Sequence, residues 1–449
     1  VGGGIGGLAA AHHLHQRGIA ALLLEASDRW GGVVRTEVAS GFLLEAGPDA
    51  FIAQKPEAAA LCREVGLEAR LVPSNPVQRT VFVLRQGRPL PMPEGAALGV
   101  PTRLGSMARS RLVTWRGKLR MAAEPLVRRR RDAGDEPVAE FFRRRLGRQA
   151  LAALVDPLLG AIHGGDPERM SMRAVLPRFA DIERRGESLV LSLWRAARRA
   201  PPGAPAFYSL AGGLSELVNT LVGRLPAEGR RLSSAARALR HDGTGLRVET
   251  ATGSYRARAV ILALPPSRSA RLLEPLDPEA AALLDGIPVA HAITVHLAYR
   301  RQDVAHPLDG HGLLVPRSEG LRSAACSFVS TKFPARAPGG HVLLRVALGG
   351  TRDPEAVRLD EAELVRLAQA EMAGPLGILG QPVLSRAYRW PGATPQLEVG
   401  HFDRVDAIQR RLAEWPGLFL AGAGIRGVGL PDVIGDARGV AEAAASFLE

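Results

Sequence analysis

The chain has 449 residues, and 58 basic against 45 acidic side chains give a formal charge of +13; 46% of residues are apolar and 23% charged. That length allows about three domain-sized units or one large composite fold, and the apolar share excludes general disorder. Two distant cysteines, Cys62 and Cys326, exclude a disulfide framework. No Cys/His spacing reads as a metal site, so none is expected, and a reducing compartment is. No run of ~18 apolar residues suits a membrane span, and no segment reads as a signal peptide.

The chain opens Val1-Gly2-Gly3-Gly4-Ile5-Gly6-Gly7, in which Gly2, Gly4 and Gly7 form G-x-G-x-x-G. The first glycine allows a tight turn, the second lets backbone approach a pyrophosphate, and the third lets a helix pack on its strand. A helix to about Arg17 with a stop at Gly18 is predicted, then a second parallel strand Ile19–Leu24 running into Glu25-Ala26. Glu25 lies 18 residues beyond Gly7, placed to take both ribose hydroxyls of an adenosine. Only Val1 precedes the motif, so an N-terminal truncation is expected.

Arg29-Trp30-Gly31-Gly32-Val33 separates flavin from nicotinamide. A second glycine pair here lets amides reach the phosphates and ribityl chain of FAD, and an arginine offers charge; a nicotinamide enzyme has no such need. Gly47-Pro48-Asp49, after the predicted strand Phe42–Glu45, is a rigid loop able to run close to a flat ligand.

Residues 101–150 hold 14 basic and 5 acidic side chains, including the runs Arg128–Arg131 and Arg143–Arg145. Apolar Leu112, Val113, Trp115, Leu126, Val127, Phe141 and Phe142 are interleaved in a helical pattern broken near Gly105, Pro125 and Gly134. Solvated helix faces are one reading, and a basic amphipathic platform for anionic lipid is the other. Nucleic acid is not an expected partner, because no recognition module is present and aromatics are only 5%.

Further on, Ser209–Leu214 is expected to open a helix, Leu239–Tyr255 to form a hairpin, and Ala259–Leu264 a buried strand stopped by Pro265. Strand-like runs between 290 and 350, among them Ala292–Leu297 and His341–Val346, suit a mainly β substrate domain. Near the end, Leu418–Ala421 reads as a buried strand closing on Gly422, and Gly427-Val428-Gly429-Leu430 precedes an alanine-rich helix to Leu448. A helix start of this kind presents N–H groups and the positive end of the dipole, suited to the N1/C2 carbonyl edge of a flavin. One non-covalent FAD would tie the first fifty residues to the last thirty.

More specific pieces are Gly164-Gly165-Asp166-Pro167 with Ser171-Met172, Gly212-Gly213-Leu214, Gly312–Pro316, Phe333–Pro338, Gly349-Gly350, Pro395-Gln396-Leu397 and Gly400-His401. On these, in order along essentially the whole chain, the sequence resembles the oxygen-dependent protoporphyrinogen oxidase family, the porphyrinogen-oxidising branch of the flavin amine oxidases. The resemblance implies an α/β (α+β multidomain) fold with three parts. A discontinuous Rossmann-like FAD domain would take 1–75, 205–266 and 385–449, and a mainly β substrate domain 76–95 and 267–384. An inserted helical, basic, membrane-associating domain would take 96–204. The implied reaction is protoporphyrinogen IX to protoporphyrin IX in heme biosynthesis, in three two-electron steps, with O2 as acceptor and H2O2 released. No catalytic side chain is implied, because the isoalloxazine carries the chemistry.

The resemblance places Arg79 against a substrate propionate and Asp49 in the loop nearest the flavin. It places the cofactor on Gly2, Gly3, Gly4, Ile5, Gly6, Gly7, Glu25, Ala26, Arg29, Gly31, Gly32, Val33, Gly47, Pro48, Asp49, Ala236, Gly422, Val428, Gly429 and Leu430. The implied partners are a porphyrinogen, O2 and an anionic membrane, with a homodimer left open, and the implied location is cytoplasmic, peripheral on the inner membrane face. Ala423, His163 and Leu397 depart from residues common in the family. Coproporphyrinogen III is the alternative substrate. An amine oxidase or carotenoid desaturase is the alternative enzyme, and a flavin-loaded membrane-docking protein the alternative without turnover.

Overall fold

The computed structural model describes residues 1–97, 99–130, 132, 134–199, 203–243 and 245–449. Short strands from distant segments form two parallel pairs. Leu23–Leu24 pairs with Arg230–Arg231, and Val260–Leu262 with Leu418–Leu420. The first two residues stitch these pairs together: the Gly2 N–H donates to the Leu24 carbonyl and the Ala263 N–H to the Val1 carbonyl, both at 2.8 Å. Helices Ile5–Gln16 and Leu430–Leu448 pack on one another through Ala9, Ala10, Ala437 and Ala441, whose small side chains bring the backbones close. The first helix ends at Gln16, followed by Gly18 at φ +73°.

Three local expectations change. The second strand is confined to Leu23–Leu24. The hairpin over Leu239–Tyr255 is a three-stranded meander of Ala236–His241, Leu246–Thr250 and Ser254–Ala257. The segment Phe207–Leu210 is a strand rather than a helix start, because it pairs with both Phe51–Ile52 and Leu71–Pro73; the helix begins at Ser215.

A seven-stranded sheet forms the second layer, in the order Leu384–Pro395, Val289–Arg300, His341–Gly349, Ala325–Phe328, Gly310–Leu314, Thr80–Arg85, Arg88–Pro91. The strand Leu384–Pro395 corrects the boundary drawn at 385: it belongs to this sheet, not with the cofactor segment, and pairs with Val289–Arg300 from Ala298↔Leu384 to Val289↔Pro395. As a half-exposed edge strand carrying Arg386 and Arg389, it lacks the apolar run that marks a buried strand. Strand alternation decides what each face does. Ile293, Val295 and Leu297 pack with Leu364, Ala368 and Met372 of the covering helix Glu361–Leu376. Thr294 and His296 point the other way, toward residues 45–46.

The described residues between 104 and 199 carry helices Leu104–Arg109, Trp115–Ala122, Val138–Arg145, Asp156–His163, Pro177–Arg184 and Leu189–Arg199 around a core of Val113, Met121, Phe141, Phe142, Leu154 and Phe179. Gly105 lies inside the first of them and does not break it. Much of the basic excess is neutralised internally. Arg145 is 2% exposed and donates to Glu124 at 2.9 Å, and the same carboxylate takes the Leu189 N–H at 3.0 Å. Arg144 bridges Glu183 and Glu136, and Arg143 pairs with Glu168. Arg131 lies outside the described residues. Among the described residues no helix is long and apolar enough to cross a membrane.

Candidate cofactor cradle and the loop beside it

Two glycine turns pack back to back. Gly4 bridges Gly31, the Gly31 N–H donates to the Gly3 carbonyl at 2.8 Å, and a Cβ on Gly32 would stand 3.2 Å from the Gly4 Cα. Each glycine has its own reason. A Cβ on Gly7 would fall 1.8 Å from the Gly2 carbonyl oxygen, and one on Gly3 2.5 Å from the Trp30 ring. At Gly4 a Cβ would meet no protein atom within 4 Å, so the surrounding fold does not demand glycine there. A ligand running along that backbone would.

Glu25 is fixed beside this turn. Its Oε2 accepts the Gly3 N–H at 2.6 Å, and its Oε1 accepts the Ser27 N–H and hydroxyl, each at 2.8 Å. The Ser234 N–H donates to the Glu25 carbonyl at 2.7 Å, bringing half-buried Ala236 alongside and leaving Ala26 exposed. Arg29 donates from Nη2 to the Gly32 carbonyl at 2.6 Å, so it braces the second turn. At the far end, Gly422 at φ +115° donates its N–H to Asp436 Oδ2 at 3.0 Å. The final helix starts at Gly429 with no side-chain cap, leaving amide donors free at its positive end.

This surface fits FAD: Glu25 and Ala236 would hold the adenosine, Gly2–Gly7 with Gly422 the pyrophosphate, Arg29 and Gly31–Val33 the ribityl side, and Gly47–Pro48 with Val428–Leu430 the ring system. When bound, the flavin supplies a two-electron acceptor.

Residues 45–49 are gripped from the seven-stranded sheet. His296 Nε2 pairs with the Glu45 carbonyl at 3.0 Å, the Thr294 hydroxyl and Trp390 Nε1 donate to the Ala46 carbonyl at 2.7 and 2.8 Å, and Arg345 Nη2 donates to the Gly47 carbonyl at 2.6 Å. Gly47 needs to be glycine because a Cβ would fall 2.0 Å from the Val33 carbonyl oxygen, beside the cradle. Burial of His296 pushes its pKa down to about 3, so the ring stays neutral. Lys332 Nζ reaches Asp49 Oδ2 at 2.8 Å and lies over the Phe207 ring at 4.5 Å. Burial works against ionisation of Asp49, but Lys332 and Arg345 overcome it and hold the carboxyl well below its usual range.

Glu45 itself is 3% exposed. It accepts the Thr36 hydroxyl and the Leu214 N–H, each at 2.8 Å, with Arg336 Nη2 at 3.7 Å. Burial outweighs these partners and pushes its carboxyl up to about 7.

The arm bearing Arg79 is strapped to Lys332: the Asn75 N–H donates to the Lys332 carbonyl at 2.9 Å, and Asn75 Nδ2 to the Thr331 carbonyl at 3.2 Å. Arg79 is exposed, makes one 3.5 Å bond to the Ala204 carbonyl, and has no carboxylate partner among the described residues. Arg79 and Lys332 both depress protonation of the buried His311, after burial, so their fields overlap there. Lys55 pairs with Asp432 in the first turn of the final helix. Nearby, burial and Lys55 push the His163 imidazole down to about 4.

The glycines, Glu25, Arg29 and the start of the final helix therefore come together as one surface, with Arg79 apart on the rim of the seven-stranded sheet and Asp49 tied to Lys332. The reading of the sequence missed Glu45, Lys332, Arg336, Arg345 and His296. One signal was available: the chain has only three lysines, Lys55, Lys118 and Lys332, and two of them pair with carboxylates at this site.

The family described as flavin containing amine oxidoreductase matches residues 5–445. The chain is 35% identical to a coproporphyrinogen III oxidase of Propionibacterium freudenreichii subsp. freudenreichii, covering 98% of this chain and 88% of the relative. It is 29% identical to the chloroplastic protoporphyrinogen oxidase of Nicotiana tabacum, covering 100% of this chain and 85% of that one. A crystal structure from Exiguobacterium sp. 255-15, provisionally named a protoporphyrinogen oxidase, superposes with a TM-score of 0.88 at 31% identity, covering 100% of this chain and 98% of that one. Glycine turns that leave open space at Gly4, a carboxylate fixed beside them and a match along nearly the whole length all agree: the chain belongs to the flavin-containing amine oxidoreductase family and is a flavin-dependent oxidoreductase.

Proposed function

We propose that this chain oxidises coproporphyrinogen III to coproporphyrin III, using O2 as final acceptor and releasing H2O2. The observation that carries the reading is Arg79: an exposed guanidinium without a carboxylate partner among the described residues, on an arm held by Lys332, at the rim of the sheet that grips the flavin-side loop. Such a cation suits a propionate bidentately. The 35% identity to an enzyme named coproporphyrinogen III oxidase, against 29% to one named protoporphyrinogen oxidase, supports the tetra-carboxylate substrate. In each of three steps a bridge carbon of the substrate would give up hydride; of the three protons also lost, two would come from pyrrole nitrogens and one from the fourth bridge carbon after an imine–enamine shift, while the chain orients the ring and excludes water.

Protoporphyrinogen IX is the second reading. What favours it is that Asp49 already neutralises Lys332, which leaves less free positive charge for four propionates.

The proposed location is the inner face of the cytoplasmic membrane, against anionic lipid. Trp115, Leu119, Leu126 and Trp194 are 70, 69, 84 and 38% exposed, on elements that pack together, with Lys118 over one tryptophan and Arg198 over the other. Aromatic and cationic side chains of this kind suit a lipid headgroup boundary. Flotation with anionic vesicles at low salt, and not with neutral ones, is expected; equal binding to both contradicts the location.

For the reaction, anaerobic mixing of the flavin-loaded protein with each porphyrinogen should bleach the flavin absorbance, and admitting air should restore it. Bleaching with neither overturns the reading.

A further inference from the structure

The cradle borders a buried acid that the reaction as proposed does not use. Glu45 lies two residues before Gly47, the glycine packed on Val33 beside the cofactor turns. Its carboxylate is nearly inaccessible to solvent, yet it is one hydroxyl away from it. Thr36 Oγ1 donates to Glu45 Oε2 at 2.8 Å and accepts the Ser215 N–H at 3.0 Å, and the Thr36 N–H donates to Ser215 Oγ at 2.7 Å. Thr36 and Ser215 line an open groove of about 480 Å³ with Val38, Gly212, Glu216 and Asn219. A carboxyl and one hydroxyl therefore lead from the inside of the protein to the wall of a groove open to solvent.

We propose that Glu45 is the protein's internal proton acceptor for cofactor reduction, exchanging its proton with solvent through Thr36 and the groove.

The electrostatics around Glu45 make its charge conditional. Arg336 faces it from the substrate side at 3.7 Å and is itself 3% exposed, its Nη2 bonded to Ser209 and the Leu210 carbonyl and its Nη1 without a partner. The Leu214 N–H, at the start of the helix Ser215–Arg224, also favours the carboxylate. Asp49 opposes it, though Lys332 and Arg345 screen that charge. Neutral His296 contributes a bond to the Glu45 carbonyl and no charge, and Glu216 is taken up by Arg70 on the groove side. Burial outweighs the partners and raises the carboxyl to about 7, near the neutral pH at which it can change state. Electrons arriving on the cofactor add negative charge beside the Gly47 loop and raise the proton affinity of Glu45 further. Electroneutrality inside the fold is then kept by one proton.

The step balances. Two electrons enter together with one proton, as hydride from the substrate or as two electrons from a chemical reductant plus a proton from solvent, so one net negative charge is added. An O–H bond forms on Glu45 Oε2 as Thr36 gives up its hydroxyl proton and takes one from a groove water, and the water is re-protonated by buffer. Reoxidation by O2 reverses it. The inference requires the flavin and stands whichever porphyrinogen is taken.

Reduced-minus-oxidised infrared difference spectroscopy of the flavin-loaded protein at pH 7.5, with photochemical reduction and no porphyrinogen, tests it directly. The expected result is a protonated-carboxyl C=O band gained on reduction, shifted in D2O and absent from Glu45→Gln. Absence of such a band, or its persistence in Glu45→Gln, overturns the proposal. Should Glu45→Gln fail to load flavin, Thr36→Val decides: the band should move in frequency, because its hydrogen-bond partner is gone, and should form at least tenfold more slowly after a reducing flash. An unchanged band formed at the same rate overturns the route. A missing bleach with porphyrinogen would leave this result intact, so the two failures are distinguishable.

Discussion

The cradle and the clamp on residues 45–49 are neighbours built on opposite principles. In the cradle, function comes from what is absent. Gly4 faces open space, and Gly7, Gly31 and Gly47 let three backbone segments close on one another. In the clamp, function comes from long polar side chains. Thr294, His296, Trp390, Arg345 and Lys332 cross from distant parts of the chain to hold the carbonyls of residues 45–47 and the Asp49 carboxylate. The contrast separates space-making, which tolerates no atom, from positioning, which can be weakened by degrees.

The sharpest way to break the comparison lies inside the cradle. Gly7→Ala would put a methyl 1.8 Å from a carbonyl oxygen, so loss of the folded state is expected. Gly4→Val places its Cβ where no protein atom lies within 4 Å, so the protein should fold and fail to load flavin. Circular dichroism beside flavin absorbance reads both; flavin-loaded Gly4→Val would remove the basis for the cradle.

In the clamp the effects are graded. Lys332→Met leaves Asp49 without its main counter-ion in a nearly buried site and should cost about 4 kcal/mol in urea unfolding. Adding Asp49→Asn should restore most of it; additive losses would show that the pair does not act as a unit.

Glu45 sharpens the comparison through pH. The fold raises its carboxyl from 4.5 to about 7, so the protonated form is the favoured one. That contribution is full below the unfolded value and is lost as pH climbs through about 7. The stability of the wild type relative to Glu45→Gln should therefore fall by about 3 kcal/mol between pH 4.5 and 8. A difference flat in pH would contradict the burial argument. Smallest is Thr294→Val, which removes one bond to the Ala46 carbonyl at 2.7 Å and should cost about 1 kcal/mol with flavin still bound.

The same contrast explains what could be read in the sequence. Gly2–Gly7, Glu25 and Gly31–Gly32 are local patterns whose spacing carries their geometry, so the cofactor class was visible at once. The final helix was legible from its glycine turn and alanines. The clamp joins residues about 250 to 350 positions apart, and each partner alone is an ordinary Thr, His or Arg on a strand. Leu384–Pro395 was misplaced because an edge strand with arginines lacks a buried strand's signature. The arginine runs read as a uniform surface charge, yet Arg143, Arg144 and Arg145 all end in ion pairs, one of them fully inside. Composition records how many charges a segment holds, not which ones a fold pairs off.

The most direct test of the proposed reaction is growth of porphyrin fluorescence in air, with coproporphyrinogen III and protoporphyrinogen IX offered separately to flavin-loaded protein against an enzyme-free control. A flavin-dependent rise, faster with coproporphyrinogen III and accompanied by H2O2, is the predicted result. No rise with either substrate, from protein shown to hold its flavin, would contradict it.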